Sequence, residues 1–276
     1  MRIVHRVLTA AFAWAIACNS GIAAELLLDP GTGPRQLSTA QLLARPDAQQ
    51  VDIPEDVAYH RAMRYRAVPI AALLEGLPAD AHLQVVALDG FAAELKAAPL
   101  LETDPARARA WLAVEDPAEP WPALSDTKPS AGPFYLVWTN PAAGGIVPEQ
   151  WPYQIASIRR LAPAAERFPA MLPAAGLPAD GPVLRGLEVF RTNCMVCHTM
   201  NGQGDAQMGP DLNLPYSPTE YMQAEFLRMY IRDPQQLRHW PQARMPAFNE
   251  KVLADKDLDA LLAYLSHMAE RKQTAP

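Results

Sequence analysis

Cysteine is scarce in this 276-residue chain. There are three, one of them Cys18 near the N-terminus, and none lies between residues 25 and 193. A disulfide scaffold is thereby excluded for most of the length, because such a scaffold needs cysteines spread through it. Long apolar runs are missing too: the stretch 7–17 falls well short of the roughly 20 residues that a permanent membrane span requires. No segment interleaves clustered Lys or Arg with aromatics, and the formal net charge is -6, so nucleic acid is not an expected partner. A single core is not expected either, since one domain usually holds about 100–200 residues.

What the N-terminus does have is Arg2 and Arg6, the apolar run, and then small residues ending in Gly21-Ile22-Ala23-Ala24. That order is a secretory signal peptide over residues 1–24. A lipoprotein anchor at Cys18 is the rival reading, but Ala15-Ile16-Ala17 before it is a poor lipobox. Loss of the leader removes two arginines and no acid, so the exported chain is more acidic still.

The remaining two cysteines stand in Cys194-Met195-Val196-Cys197-His198. Two thiols one helical turn apart can each add to a porphyrin vinyl group, and the adjacent imidazole can then serve as a fixed axial ligand. This is the attachment signal for one covalent haem c. A thioredoxin-like redox pair would follow a strand and open a helix, whereas residues 186–193 have a helical pattern. With an export signal, the motif places the protein in the bacterial periplasm.

Along residues 25–160 the pattern is mixed. Residues 38–43 read as a short helix capped by Ser38 or Thr39, and residues 68–76 as another, with Pro69 in its first turn and Gly76 as its stop. Runs suited to strands occupy 83–88, 111–114, 134–138 and 153–158, and Asp89-Gly90 is a turn signal. The reading is an α+β domain with a mixed sheet. Residues 161–182 hold five prolines among many alanines, a composition expected to form an extended, semi-rigid linker. Residues 183–272 read as all-helical: a helix over 183–193 with Gly186 and Phe190 on one face, a capping box at Ser217-Pro218-Thr219-Glu220 opening a helix to about Arg232, and a short helix after Asp233-Pro234. A last helix capped by Asp255 carries the apolar stripe Leu258, Leu261, Leu262, Leu265 and Met268.

Two family resemblances organise these pieces. Tyr65-Arg66-Ala67-Val68-Pro69-Ile70, Ala87-Leu88-Asp89-Gly90-Phe91, Trp111-Leu112-Ala113-Val114-Glu115, Gly132-Pro133-Phe134-Tyr135 and Gln150-Trp151-Pro152-Tyr153 resemble the molybdopterin-binding domain of sulfite-oxidase-like oxidoreductases. That family ligates molybdenum through a cysteine thiolate. The segment here has none, so the resemblance implies the fold without the cofactor. Gly186, Phe190, the Cys194–His198 motif, Gly209-Pro210-Asp211-Leu212, Met245-Pro246 and Tyr264-Leu265 resemble class I c-type cytochromes over residues 181–272. That likeness implies close crossing of the first and last helices. It also implies His198 as the proximal iron ligand, with its second ring nitrogen held by the carbonyl of Pro210.

The second axial ligand must come from elsewhere, and the candidates are Met200, Met208, Met222, Met229, Met245, Met268, His239 and His267. Methionine is more often a soft core filler than a ligand. Met245 stands apart because Arg244-Met245-Pro246-Ala247-Phe248 is a helix-free stretch, and it follows His198 by the interval at which the family places its ligand. His239 and Met208 are its competitors. His60 and His82, with Asp56 and Asp80 nearby, could be called metal ligands but lack motif spacing, and Trp111, Trp121, Trp138 and Trp151 read as core or interface residues rather than an electron path.

Two filled axial positions leave no place for substrate at the iron. The expected function is therefore electron transfer between a periplasmic dehydrogenase and a downstream acceptor such as a terminal oxidase or soluble cytochrome. The N-terminal domain, with 12 basic and 19 acidic residues over 25–180, serves in this reading as a docking module. The alternatives are an oxidoreductase whose N-terminal domain holds a cofactor and reduces the haem, and a metal-binding assembly or sensor protein.

Overall fold

A computed structural model describes residues 24–206 and 208–273. Apart from Ala24, the signal-peptide expectation lies outside the described residues.

The N-terminal region is built on two sheets. Strands β1 (Glu25–Asp29), β2 (Arg35–Ser38), β5 (His82–Ala87), β6 (Ala92–Lys96) and β9 (Ile155–Leu161) form a mixed sheet in the order β2-β1-β9-β5-β6, in which only the β1 and β9 pair is parallel. Strands β3 (Gln49–Ile53), β4 (Met63–Pro69), β7 (Arg109–Val114) and β8 (Phe134–Thr139) form an antiparallel sheet in that order. Both bury apolar residues in one shared core, from Leu26 and Leu83 on the first sheet to Tyr65, Leu112 and Leu136 on the second. β7 and β8 are apolar nearly throughout because they are covered on both faces.

Short helices α1 (Thr39–Leu43), α2 (Ile70–Leu73) and α3 (Ala97–Leu100) directly follow β2, β4 and β6 and pack against the inner strands β4 and β7. Ser38 caps α1 and Gln41 reciprocates, a full capping box. Gly90 has φ +92 and sits in the β5–β6 turn, where a side chain would be strained. The strand expected from residue 153 begins instead at Ile155, because Gln154 takes a positive φ of 53 and donates its backbone N–H to Ala131 across the chain.

The expected extended linker is the largest departure. Residues 161–182 fold onto the C-terminal region through helix α4 (Ala164–Arg167) and a 3-10 turn (Pro169–Met171). Ala164 and Met171 are fully buried in the C-terminal core. The Tyr264 hydroxyl donates to the Met171 carbonyl at 2.7 Å, and the Asn201 amide donates to the Ala170 carbonyl at 2.9 Å. Proline and alanine suited a spacer by composition, but here they form a small apolar strap whose carbonyls are satisfied by buried side chains.

The C-terminal region contains α5 (Pro182–Val189), a π-helical turn (Phe190–Cys194), α6 (Pro218–Tyr221), α7 (Ala224–Arg232), α8 (Pro234–Leu237) and α9 (Asp255–Ala269). The helix expected over 183–193 is α-helical only to Val189, where the wider π turn takes over and sets the direction of the cysteines. The helix expected to run from the Ser217 box to Arg232 is two helices, because Met222 is extended at φ -110 and ψ 136. Asp255 is not the cap of α9. Ala254 holds that position, and Asp255 lies in the first turn, 2.6 Å from the Arg232 guanidinium. Leu258, Leu261, Leu265 and Met268 face the core, joined by Tyr264.

α5 and α9 cross at Gly186, where an added Cβ would overlap the Ala260 carbonyl oxygen. Phe190 and Tyr264, both fully buried, meet beside it with ring centroids 5.4 Å apart.

Candidate haem site

The Cys194–His198 stretch is one tight turn following the π turn. Cys197 and His198 both donate backbone N–H to the Cys194 carbonyl, at 3.0 and 2.9 Å. The two residues between the cysteines part company. Met195 is buried in the C-terminal core and Val196 in the core of the N-terminal sheets. Val196 also accepts a hydrogen bond from the backbone of Ala92 at 3.2 Å, so the turn covers the free edge of the first sheet at β6.

Both thiols are free. Burial, with lesser contributions from the charges of Glu149 and Asp89, pushes Cys194 up to about 12 and Cys197 up to about 11. Redox-active Cys-x-x-Cys pairs work by the opposite shift, a thiolate stabilised near neutral pH. Both shifts run away from the stabilised thiolate on which thiol–disulfide exchange depends.

His198 is held from two sides. Its Nδ1–H donates to the Pro210 carbonyl oxygen at 2.8 Å, which leaves Nε2 as the lone-pair nitrogen. Gly209 donates to the Cys197 carbonyl at 2.7 Å and lies flush on the imidazole, where an added Cβ would overlap the ring. Burial lowers the His198 pKa, favouring the neutral ring that a metal needs. The loop is braced by Asp211, which accepts from the Thr199 hydroxyl at 2.8 Å and from the backbone of Gly202, Asn213 and Leu214, each at 2.7 Å. Two thiols on one turn, an oriented neutral imidazole and a glycine that clears its face are a donor set that fits a covalently attached haem.

The candidates for the other axial position are sorted by packing. Met200 and Met268 are fully buried in the core, and Met222 packs against it. Met208 has its sulfur 3.9 Å from the Cys197 sulfur, on the attachment side. His267 is engaged, its Nε2 accepting from the Ala174 backbone at 3.0 Å. His239 is exposed beside the exposed Trp240. Met229 is partly buried on α7.

Met245 is partly buried against the C-terminal core in an irregular stretch between α8 and α9. That stretch is pinned by Arg232, whose guanidinium donates to the carbonyls of Phe248 and Leu253 and pairs with Asp255. No sequence pattern marked Arg232, which reads simply as a cation in the last turn of a helix.

Sequence reasoning also missed the acids that meet the haem turn from the N-terminal region. Glu94 on β6 pairs with Arg191 at 3.1 Å, Arg167 at 3.2 Å and His82 at 2.7 Å. Glu149 accepts from Asn193, the residue before Cys194, at 3.3 Å. His82 is thus engaged with Glu94, while His60 is exposed and has φ 53. Asp56 accepts from the Tyr65 hydroxyl at 2.8 Å, and Asp80 is exposed. Among the described residues, no three His, Cys, Asp or Glu side chains gather as a metal site. Trp138 is buried, with its Nε1 donating to the Gln150 carbonyl, and Trp121 packs edge-on against Tyr65 at 4.7 Å.

Residues 183–269 match the Cytochrome c family model. No curated protein matches the chain. The matched segment carries covalently bound haem c and is a haem-based electron-transfer domain that works with redox partner proteins. No helix among the described residues is long and apolar enough to cross a membrane.

Proposed function

We propose that this protein is a periplasmic monohaem cytochrome that passes single electrons from a periplasmic dehydrogenase to a terminal oxidase or soluble cytochrome, with its N-terminal domain as the docking module. The observation that carries this reading is the His198 imidazole, fixed by the Pro210 carbonyl and cleared by Gly209, adjacent to Cys197 and on the same turn as Cys194. In it Cys194 and Cys197 would hold the haem covalently through thioether links, and His198 and Met245 would ligate its iron. Bound haem supplies a one-electron iron couple, which a thioether sulfur ligand shifts to higher potential than a second histidine would.

The remaining work belongs to the chain. Pro210 keeps the ring tautomer and orientation constant in both oxidation states. Arg232 fixes the stretch that presents Met245, so little rearrangement accompanies electron exchange. The N-terminal region is in this reading a cofactor-free relative of the sulfite-oxidase-like fold. Its support is that three of the resembling segments form the neighbouring strands β4, β7 and β8 of the antiparallel sheet, together with the lack of any cysteine between residues 25 and 193. Its acidic surface would steer a basic partner, an attraction that weakens as salt rises.

The test is Met245→Ala. Covalent haem should be retained, because attachment depends on Cys194 and Cys197. The charge-transfer band of sulfur-ligated ferric haem at the red end of the visible spectrum should vanish. Persistence of that band would assign the ligand to another residue. Metal analysis of protein purified from its native periplasm should show one iron per chain. Stoichiometric molybdenum would replace the docking reading of the N-terminal region with an enzymatic one.

A further inference from the structure

The surface between the two regions carries a carboxylate that the electron-transfer reading does not use. Glu149 lies in a 3-10 turn (Pro148–Gln150) of the N-terminal region, packed between β6 and the π turn. Its Oε2 accepts from the Asn193 side-chain amide, and its charge is felt at both Cys194 and Cys197. The groups that face it line a cleft: His82, Glu94 and Lys96 from β5 and β6, Glu188 from α5, and Arg191 from the π turn. Most of these are committed elsewhere. His82 and Arg191 are bonded to Glu94, and Arg191 also pairs with Glu188 at 3.1 Å. Among the contacts of the described residues, Glu149 has no cationic partner of its own.

We propose that Glu149 is a redox-linked proton site: when the haem centre gains one electron from its partner, Glu149 binds its proton more tightly and takes up a fraction of a proton from water, which it releases on oxidation. The inference rests on the cytochrome reading. The physical reason is charge. Oxidised haem iron carries one more positive charge than reduced iron, and a nearby partly buried carboxylate stabilises that extra charge only while ionised. Reduction removes the attraction, so the carboxylate holds its proton more tightly. Burial already pushes Glu149 up to about 6, which puts the exchange within reach of ordinary pH. At the effective dielectric of a protein surface, gain or loss of one nearby unit charge changes a carboxylate's proton affinity on the order of tenfold.

The experiment is a spectroscopic redox titration of the full holoprotein between pH 5 and 8. The midpoint should be high at pH 5, fall as pH rises through about 6, and level off. A tenfold difference in proton affinity between oxidation states separates the two plateaus by about 59 mV for one electron. Glu149→Gln should sit on the upper plateau throughout. Asn193→Ala removes the bond that favours the ionised form, so it should keep the fall but move it to higher pH, which a purely structural role would not do. A flat wild-type profile, or an unchanged slope in Glu149→Gln, overturns the proposal and passes the pH dependence, if any, to other groups. Should Glu149→Gln fail to fold, proton uptake by the wild type on reduction at pH 6 decides: measurable uptake that moves with Asn193→Ala supports it, and none overturns it. Absence of any one-electron wave would instead sink the cytochrome reading itself.

Discussion

Gly186→Val is expected to destabilise the haem domain strongly. An added Cβ meets backbone, the Ala260 carbonyl group, together with the Tyr264 Cβ at 2.6 Å, so no side chain can swing aside to make room. α5 and α9 must therefore separate. Separation opens the Phe190–Tyr264 contact and strains the Tyr264 bond to Met171 that ties down the strap formed by residues 161–182. Overpacking of a well-packed core costs about 1–3 kcal/mol and occasionally more. At roughly 4–8 °C per kcal/mol for a domain of this size, a cost near the upper figure lowers the haem domain's melting temperature by about 12–24 °C. Haem incorporation during export should fall in parallel. Thermal unfolding followed at the haem absorbance measures it. A valine variant that melts within a few degrees of the parent would mean that the α5–α9 crossing can widen at little cost.

Gly186 also marks how far the sequence was legible. The haem turn, the Gly209-Pro210 step and the apolar stripe of α9 are local signals, in which chemistry and spacing are read from neighbouring residues. The strands β5, β7 and β8 were legible for a similar reason: strands buried on both faces are continuous apolar runs. β2, β3 and β6 were not. Each is an edge strand with polar residues, and its extended form comes from its partner's hydrogen bonds rather than its own pattern. Residues 161–182 misled because proline content speaks of backbone stiffness and is silent about docking partners. The carbonyls of Ala170 and Met171 are satisfied by Asn201 and Tyr264, distant in sequence.

The candidate site divides along the same line. His198 and its Pro210 acceptor are 12 residues apart, close enough for a family pattern to pair them. The charged groups that hold the haem turn against the N-terminal region leave no periodic trace. Arg167 and Arg191 lie 73 and 97 residues from Glu94, and each would pass alone as an ordinary surface cation.

Glu94→Ala should therefore undo the attachment of the two regions while leaving the haem turn chemically intact. The Glu94 side chain is only 7% exposed. It accepts from Arg191, Arg167, His82 and the Ala164 backbone N–H, thereby joining β6, the strap and the approach to Cys194 through one carboxylate. Removing one partner of a buried ion pair costs about 3–5 kcal/mol, because the other is left desolvated. Here Arg167 keeps Asp205 at 2.6 Å and Arg191 keeps Glu188, which holds the cost near the lower figure, about 3 kcal/mol. Alanine cannot be rescued by salt or pH, whereas Glu94→Gln should recover part of the loss by still accepting one guanidinium bond. The haem spectrum should survive, since neither His198 nor Met245 touches Glu94 among the described contacts. The N-terminal sheets and the haem domain should then melt in separate steps, and residues 161–182 should become cleavable by protease under conditions in which the parent resists. A single unaltered transition with an uncut strap would show that the apolar contacts of Val196, Ala164 and Met171 hold the two regions together without the carboxylate.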